Sequence, residues 1–265
     1  MKIKENEIRR FLKNGNGFDF EIFDAVDSTN AFLKTKASDG AREGTVAIAE
    51  TQTAGKGRMG RTFSSPADSG IYISVLLRPT DRACNGVLIT TCAAVAVSEA
   101  IEKVTGIKTD IKWVNDLYLK GKKVSGILAE GSLDGSSSRF EYAILGIGVN
   151  IIDTFGGTEL DGIATGLYNT ATYGFICDIR HRLTAEILNS FFSYYSRGLT
   201  DCKAELLNKY RERLFIIGKR VQVLSYTDLR DATVVSLNDD FSLKVAYDDG
   251  TLAALNSGEV RLKIK

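Results

Sequence analysis

Residues 110–130 read DIKWVNDLYLKGKKVSGILAE, two β-strands joined by a turn around Lys120–Lys122, the second strand carrying Val124, Ile127 and Leu128. A further strand, RFEYAILGIGVNI, follows at 139–151. Upstream, FDFEIFDAV alternates as a strand ending at Asp27, GTVAIAET is β-branched, and IYISVLLRP is a third strand. Between these strands lie helical stretches. Residues 1–13 predict a short helix. Asp27 or Ser28 can cap a second, because a short side-chain oxygen accepts hydrogen bonds from the orphan amides of a first turn. Residues 85–104, including GVLITTCAAVAV, predict a buried helix too soon interrupted by Ser98 and Glu99 to span a membrane. Two amphipathic helices are predicted near 181–197, with Leu183, Ile187, Leu188, Phe191 and Tyr195 on one face, and near 201–213. Strands interleaved with helices predict an α/β fold with a mixed central sheet flanked by helices.

The pattern changes at Gly218. From there only short strands occur (RVQVLSY, DATVVSL, SLKVAY, TLAAL, VRLKI), with Asp249-Gly250 as a hairpin turn. About fifty residues of this kind form a small barrel-like unit, marginal alone and expected to dock on the main domain. The division falls at 1–217 and 218–265.

Composition narrows the function. A chain of 265 residues with 44% hydrophobic and 25% charged residues is an ordinary globular protein, which excludes disordered, collagenous and disulfide-rich classes. With 34 Lys+Arg against 33 Asp+Glu the net charge is +1, so no global field draws the chain to DNA or to an anionic membrane. Cys84, Cys92, Cys177 and Cys202 are widely spaced and there is one histidine, so no structural zinc site is expected and the thiols read as free, in a cytoplasmic setting. The N-terminus lacks an apolar signal core. His181 is expected at the surface of a helix start. The 25 glycines against 2 prolines point to backbone freedom put to use.

Four clusters carry chemistry. Gly55-Lys56-Gly57-Arg58-Met59-Gly60-Arg61-Thr62 contains G-x-G-x-x-G and nearly matches the phosphate-binding G-x-x-x-x-G-K-[ST]. Both patterns require a helix next, whereas Phe63-Ser64-Ser65-Pro66 and a strand follow, so neither reading holds. A solvated loop is one alternative; a loop with three cations and no anion that closes over an anionic ligand is the other. Lys112-Trp113-Val114-Asn115-Asp116, close to Lys123, Ser125 and Gly126, is either a charged hairpin or a nucleotide and magnesium site. Gly146-Ile147-Gly148-Val149-Asn150 admits close approach of a ligand or of another part of the chain. Ser28-Thr29-Asn30 serves capping or a small polar ring.

Together, DSTN at 27–30, ETQTAGKGRMGRTFSSP at 50–66, KWVNDLYLKGKKVSGILAE at 112–130, GIGVN at 146–150 and SGEVRL at 257–262 resemble the biotin protein ligases, also called biotin–[acetyl-CoA-carboxylase] ligases, in order and over nearly the whole chain. The resemblance implies a class II synthetase-like catalytic domain and a C-terminal SH3-like barrel. It implies a two-step reaction: ATP activates biotin as biotinyl-5′-AMP, and a lysine of a biotin carboxyl carrier protein attacks it. Ser28, Thr29, Asn30 and Gln52 would face the biotin ring; Gly55, Lys56, Gly57, Arg58, Lys123 and Gly126 would complete the biotin site. Arg61, Phe63, Lys112, Asn115, Asp116 and Asn150 would bind ATP, with Asp116 near Mg2+. Lys123 and Arg58 would be catalytic, stabilising charge at the carboxylate and α-phosphate. Three positions depart from the family pattern: Lys56 replaces arginine, Phe63 a tryptophan and Val114 a proline. The start of the chain lies too close to DSTN for a winged-helix DNA-binding domain, so a DNA partner is not expected, while a homodimer is compatible. The rival expectations are a lipoate or octanoate ligase of related fold and a non-catalytic biotin-binding regulator.

Overall fold

The computed structural model describes residues 2–13, 17–80, 84–133, 140–173, 178–225, 228–256 and 260–264; Cys177 and residues 257–259 of SGEVRL lie outside them. The elements run α1 (Glu5–Arg9), β1 (Asp19–Val26), α2 (Thr29–Ser38), β2 (Thr45–Gln52), β3 (Gly70–Leu77) and α3 (Gly86–Thr105). Then come β4 (Asp110–Lys112), β5 (Asp116–Leu119), β6 (Lys122–Leu133), β7 (Phe140–Asn150), α4 (Thr170–Tyr173), α5 (Ile179–Tyr195) and α6 (Lys203–Arg213). The last strands are β8 (Arg220–Ser225), β9 (Asp228–Leu237), β10 (Leu243–Tyr247), β11 (Leu252–Leu255) and β12 (Val260–Ile264).

A seven-stranded sheet has the order β1-β2-β3-β7-β6-β5-β4, parallel between β1 and β2 and antiparallel elsewhere. β3 is buried along its whole length, as a strand covered on both faces must be. Its alternate residues Ile71, Ile73, Val75 and Leu77 join the main core with α3 and α5. Leu76 joins a smaller core with Leu33 and Ala37 of α2. The sheet is thus sandwiched, and α2 shares its face with the chain segment between β2 and β3.

α3 begins where Asn85 accepts the Leu88 amide at 2.9 Å and ends at Gly106, whose positive φ of 73° makes a left-handed cap. None of the described helices is long and apolar enough to cross a membrane. The C-terminal strands form a second, antiparallel sheet of order β11-β10-β9-β8-β12, which fits an SH3-like unit. Gly250, at φ 84°, turns β10 into β11. This sheet docks on the first: Trp113 Nε1 donates to Phe241 O at 2.8 Å, and the Tyr210 and Phe241 rings meet edge to face.

Three expectations are corrected. Residues 110–119 are not one strand: β4 and β5 form their own hairpin, pairing Lys112 with Asp116. The chain turns at 113–115 because Trp113 and Val114 are buried there, and Tyr210 OH caps Val114 O at 3.1 Å. The first helix covers only Glu5–Arg9, since the Ile3 amide is drawn to the Glu50 carboxylate and the Lys4 amide to His181. His181 is a helix-start residue but a buried one, its Nε2 accepting that Lys4 amide at 3.1 Å. Beside it, Arg180 pairs with Glu50 at 2.7 Å, both buried. Breaking such a pair typically costs about 3–5 kcal/mol, so the carboxylate that also accepts the Ile3 amide is held firmly in place. Among the described cysteines, Cys92 and Cys202 are free thiols.

Candidate functional site

Opposite α3, the sheet offers a floor opened by three glycines. Gly126 of β6 pairs with Gly148 of β7, and Leu128 with Gly146; Tyr72 and Ser74 of β3 lie across from Gly148 and Gly146. A Cβ at Gly146 would run into Asn30 Oδ1, and one at Gly148 into the Phe63 ring. At Gly126 a Cβ would meet Lys123 Nζ and Phe63 Cε2, both at 3.0 Å. The close approach that alternating glycines permit is therefore taken by two of the chain's own side chains, which come from distant segments.

Asn30 arrives from the first turn of α2. Ser28 is its N-cap and accepts the Ala31 amide at 3.4 Å. Thr29 and Asn30, both buried, enter a continuous polar cluster. Thr29 gives its amide (2.9 Å) and hydroxyl (3.1 Å) to Gln52 Oε1, and Gln52 Nε2 donates to Ser65 Oγ at 2.9 Å. Ser74 Oγ lies 2.7 Å from Thr29 Oγ1 and 2.6 Å from Asn30 Oδ1, while Asn30 Nδ2 donates to Glu130 at 2.7 Å. The residues lining this end of the cavity are neutral and supply fixed donors and acceptors, with the Glu130 carboxylate behind them.

Phe63 arrives from the glycine-rich loop. The loop closes on itself: Phe63 N donates to Gly55 O at 2.9 Å, Gly57 N to Arg61 O at 2.7 Å, and a short 3₁₀ turn spans Arg58–Gly60. Gly55 is buried at the crossing, where a Cβ would stand 2.5 Å from Phe63 O. From the loop, Arg58 Nη1 reaches Asn115 Oδ1 at 3.1 Å and so joins the loop to the β4–β5 turn.

That end of the cavity is cationic. Among the described residues, Lys56, Arg58, Arg61, Lys112 and Lys123 line it with one carboxylate, Asp116. Lys123 Nζ lies 2.7 Å from Asp116 Oδ1, and Lys112 Nζ lies 5.6 Å from the centre of the Tyr118 ring. Burial holds the Arg58 guanidinium below its usual range, against the pull of Asp116. Lys112 is likewise lowered, first by burial and then by Lys123 and Arg61, with Asp116 opposing. Burial pushes Tyr118 up to about 12. Two buried cations, Arg58 and Lys112, held below their usual range in a cationic pocket make a site that an anion would relieve. Among the described residues, no group of three or more His, Cys, Asp or Glu could hold a metal ion.

One cavity therefore gathers Ser28, Thr29, Asn30, Gln52, Lys56, Gly57, Arg58, Arg61, Phe63, Lys112, Asn115, Asp116, Lys123 and Gly126. Two expected residues do not line it. Gly55 sits beneath the loop, and Asn150, at the end of β7, donates from Nδ2 to Thr165 O at 3.2 Å. The segment holding Thr165 also clamps the backbone of Lys123, since Lys123 N donates to Ile163 O and Thr165 N to Lys123 O, both at 2.9 Å. Sequence reading missed Tyr72, Ile73, Trp113, Ile127 and Leu128 in the wall. It also missed Ser65, Ser74 and Glu130 behind it. Period-two alternation along β3 places Tyr72 and Ser74 on one face, but only the strand order says that this face is the floor's.

Residues 22–150 match the biotin/lipoate A/B protein ligase family. The chain is 41% identical over 170 residues to the bifunctional ligase/repressor BirA of Bacillus spizizenii, an alignment covering 63% of this chain and 51% of that one. It thus spans about half the length of that relative. It is 31% identical to the biotin–[acetyl-CoA-carboxylase] ligase of Mycobacterium tuberculosis, covering 83% of this chain and 81% of that one. In structure it is similar to the biotin protein ligase of Aquifex aeolicus in complex with biotin and ATP, with a TM-score of 0.72 and 26% identity over 93% of this chain and 99% of that one.

Proposed function

Because the chain belongs to the biotin/lipoate A/B protein ligase family, we propose that it is a biotin protein ligase, which adenylates biotin with ATP and passes it to a lysine of a biotin carboxyl carrier protein. The observation that carries this reading is the polarity of one cavity: a neutral donor and acceptor cluster at one end, five cations with one carboxylate at the other. Biotin has that polarity, with a neutral ureido ring at one end and a carboxylate at the other. Ser28, Thr29, Asn30 and Gln52 take the ring. Arg58 and Lys123 take the carboxylate and the α-phosphate; Arg61, Lys112 and Asn115 hold the remaining phosphates and the nucleotide. Phe63, on the glycine floor, offers its ring to adenine.

In the first step a biotin carboxylate oxygen attacks the α-phosphorus, the bond to pyrophosphate breaks, and charge builds on the phosphoryl oxygens. Lys123 and Arg58 stabilise that charge. The leaving group needs no acid, being a good one already. In the second step the carrier amine attacks the activated carbonyl, forming an amide and releasing AMP. Among the described residues Asp116 is the one carboxylate lining the cavity and Lys123 already engages it, so these residues do not fit a magnesium caged by protein side chains. Mg2+ would arrive as the counter-ion of ATP, which usually holds it through phosphates. Residues 1–217 would carry the chemistry and 218–265 would form the SH3-like unit. A cytoplasmic place and either a single chain or a homodimer accord with this reading.

Biotin-dependent exchange of labelled pyrophosphate into ATP tests it. Exchange with biotin and not with lipoate or octanoate is expected. No exchange from folded protein would overturn the proposal, and exchange with lipoate alone would move it to the related ligases.

A further inference from the structure

The polar cluster at the neutral end can be solved for its protons, and the solution gives Glu130 a role. Phe63 O is a carbonyl and can only accept, so the Ser65 hydroxyl, 3.1 Å away, donates to it and accepts from Gln52 Nε2. Gln52 Oε1 is thereby turned toward Thr29, whose amide donates to it at 2.9 Å and whose hydroxyl lies 3.1 Å from it. At the other end, the Glu130 carboxylate can also only accept, so Asn30 presents Nδ2 to it and Oδ1 to Ser74. Both chains of constraint meet at Ser74. Its single proton has two takers, Thr29 Oγ1 at 2.7 Å and Asn30 Oδ1 at 2.6 Å. Thr29 and Ser74 thus have two hydroxyl protons for three contacts, so one of Gln52 Oε1, Thr29 Oγ1 and Asn30 Oδ1 goes without a hydroxyl proton, and Gln52 Oε1 has the Thr29 amide in any case.

We infer that Glu130 is a positioning residue for ring recognition: by fixing which way the Asn30 amide faces, it leaves the pocket with an acceptor that an N–H group of the ligand fills. Neither Glu130 nor Ser74 lines the cavity, so Glu130 acts only through Asn30, which does. This inference rests on the biotin reading above, since the ureido ring is what brings N–H donors. Lipoate brings none. With an amide in place of the carboxylate, Asn30 is free to turn over, donate Nδ2–H to Ser74 and erase the surplus acceptor.

The test uses the full chain and pyrophosphate exchange with Glu130→Gln. Losing the fixed charged partner is expected to raise KM for biotin about tenfold, the scale of one such hydrogen bond, while kcat and KM for ATP stay near the parent values. The ratio of biotin to lipoate turnover should fall with it. The double variant Asn30→Asp with Glu130→Gln places a donor at 130 and an acceptor toward Ser74, and should recover most of the biotin KM lost in either single variant. Unchanged biotin KM, a parallel loss of kcat with lowered Tm, or no recovery in the double variant would overturn the inference. If the parent chain itself shows no biotin-dependent exchange, the functional reading fails and this inference with it; an active parent matched by Glu130→Gln defeats the inference alone.

Discussion

Lys123 Nζ rests 2.7 Å from Asp116 Oδ1, and both side chains remain partly open to solvent. The pair lines the cavity rather than the core, so the lysine is placed to trade its carboxylate for a ligand's anion. Its backbone is clamped on both sides by the 163–165 segment, which holds the side chain's origin fixed during that exchange.

Replacing Lys123 by alanine should therefore leave the fold intact and disable adenylation. We expect single-turnover formation of adenylate to fall by about 10²–10³, the usual cost of removing one charge-stabilising group, with little change in Tm. Near-normal single-turnover rates would remove Lys123 from its role.

The two floor glycines of β7 should separate the two substrates. Gly146→Ala forces Asn30 aside and should raise KM for biotin; Gly148→Ala displaces the Phe63 ring and should raise KM for ATP. Each change is expected to be about tenfold or more and to cost about 1–3 kcal/mol of stability through overpacking. Both variants affecting the same substrate would contradict the assignment of the two ends.

Lys56, Arg58 and Arg61 give trypsin three targets in the loop. Biotin and ATP together should slow cleavage there several-fold as the cations engage anions, and mass spectrometry of early fragments will show it. Equal rates with and without ligands would mean that the loop takes no part in binding.

The buried His181 should make the fold acid-sensitive. Burial lowers its pKa from the ordinary 6.5, with Asp178 and Glu7 opposing in part. A base depressed in the folded state takes up its proton first in the unfolded chain, so stability is full above about pH 6.5 and falls as the pH drops below it. Protonation also removes the lone pair that accepts the Lys4 amide. The urea midpoint should decline between pH 7 and 5.5, and His181→Gln should flatten that decline.

Elements set by local chemistry were legible in the sequence: the Ser28 cap, the buried helix α3, the Asp249-Gly250 turn and the change to short strands after Gly218. The pocket residues with obvious chemistry were legible too, because charge and glycine clusters stand out. What escaped depends on tertiary pairing. The turn at 113–115 forms because Trp113 and Val114 have a place to be buried among α6 and the C-terminal sheet, and no local signal records that place. His181 looked like a surface residue because nothing near it in sequence shows that residues 2–4 return to cover it. Glu130 carries no local signal of its role, since its partner Asn30 lies 100 positions away.

Trp113 is the chain's single tryptophan; it lines the cavity and donates its indole proton to Phe241 of the C-terminal sheet. The protein thus carries a built-in optical probe at the seam between its two sheets. Its emission colour and intensity answer both to what fills the cavity and to how firmly the second sheet is seated, so one label-free signal can follow occupancy and docking together.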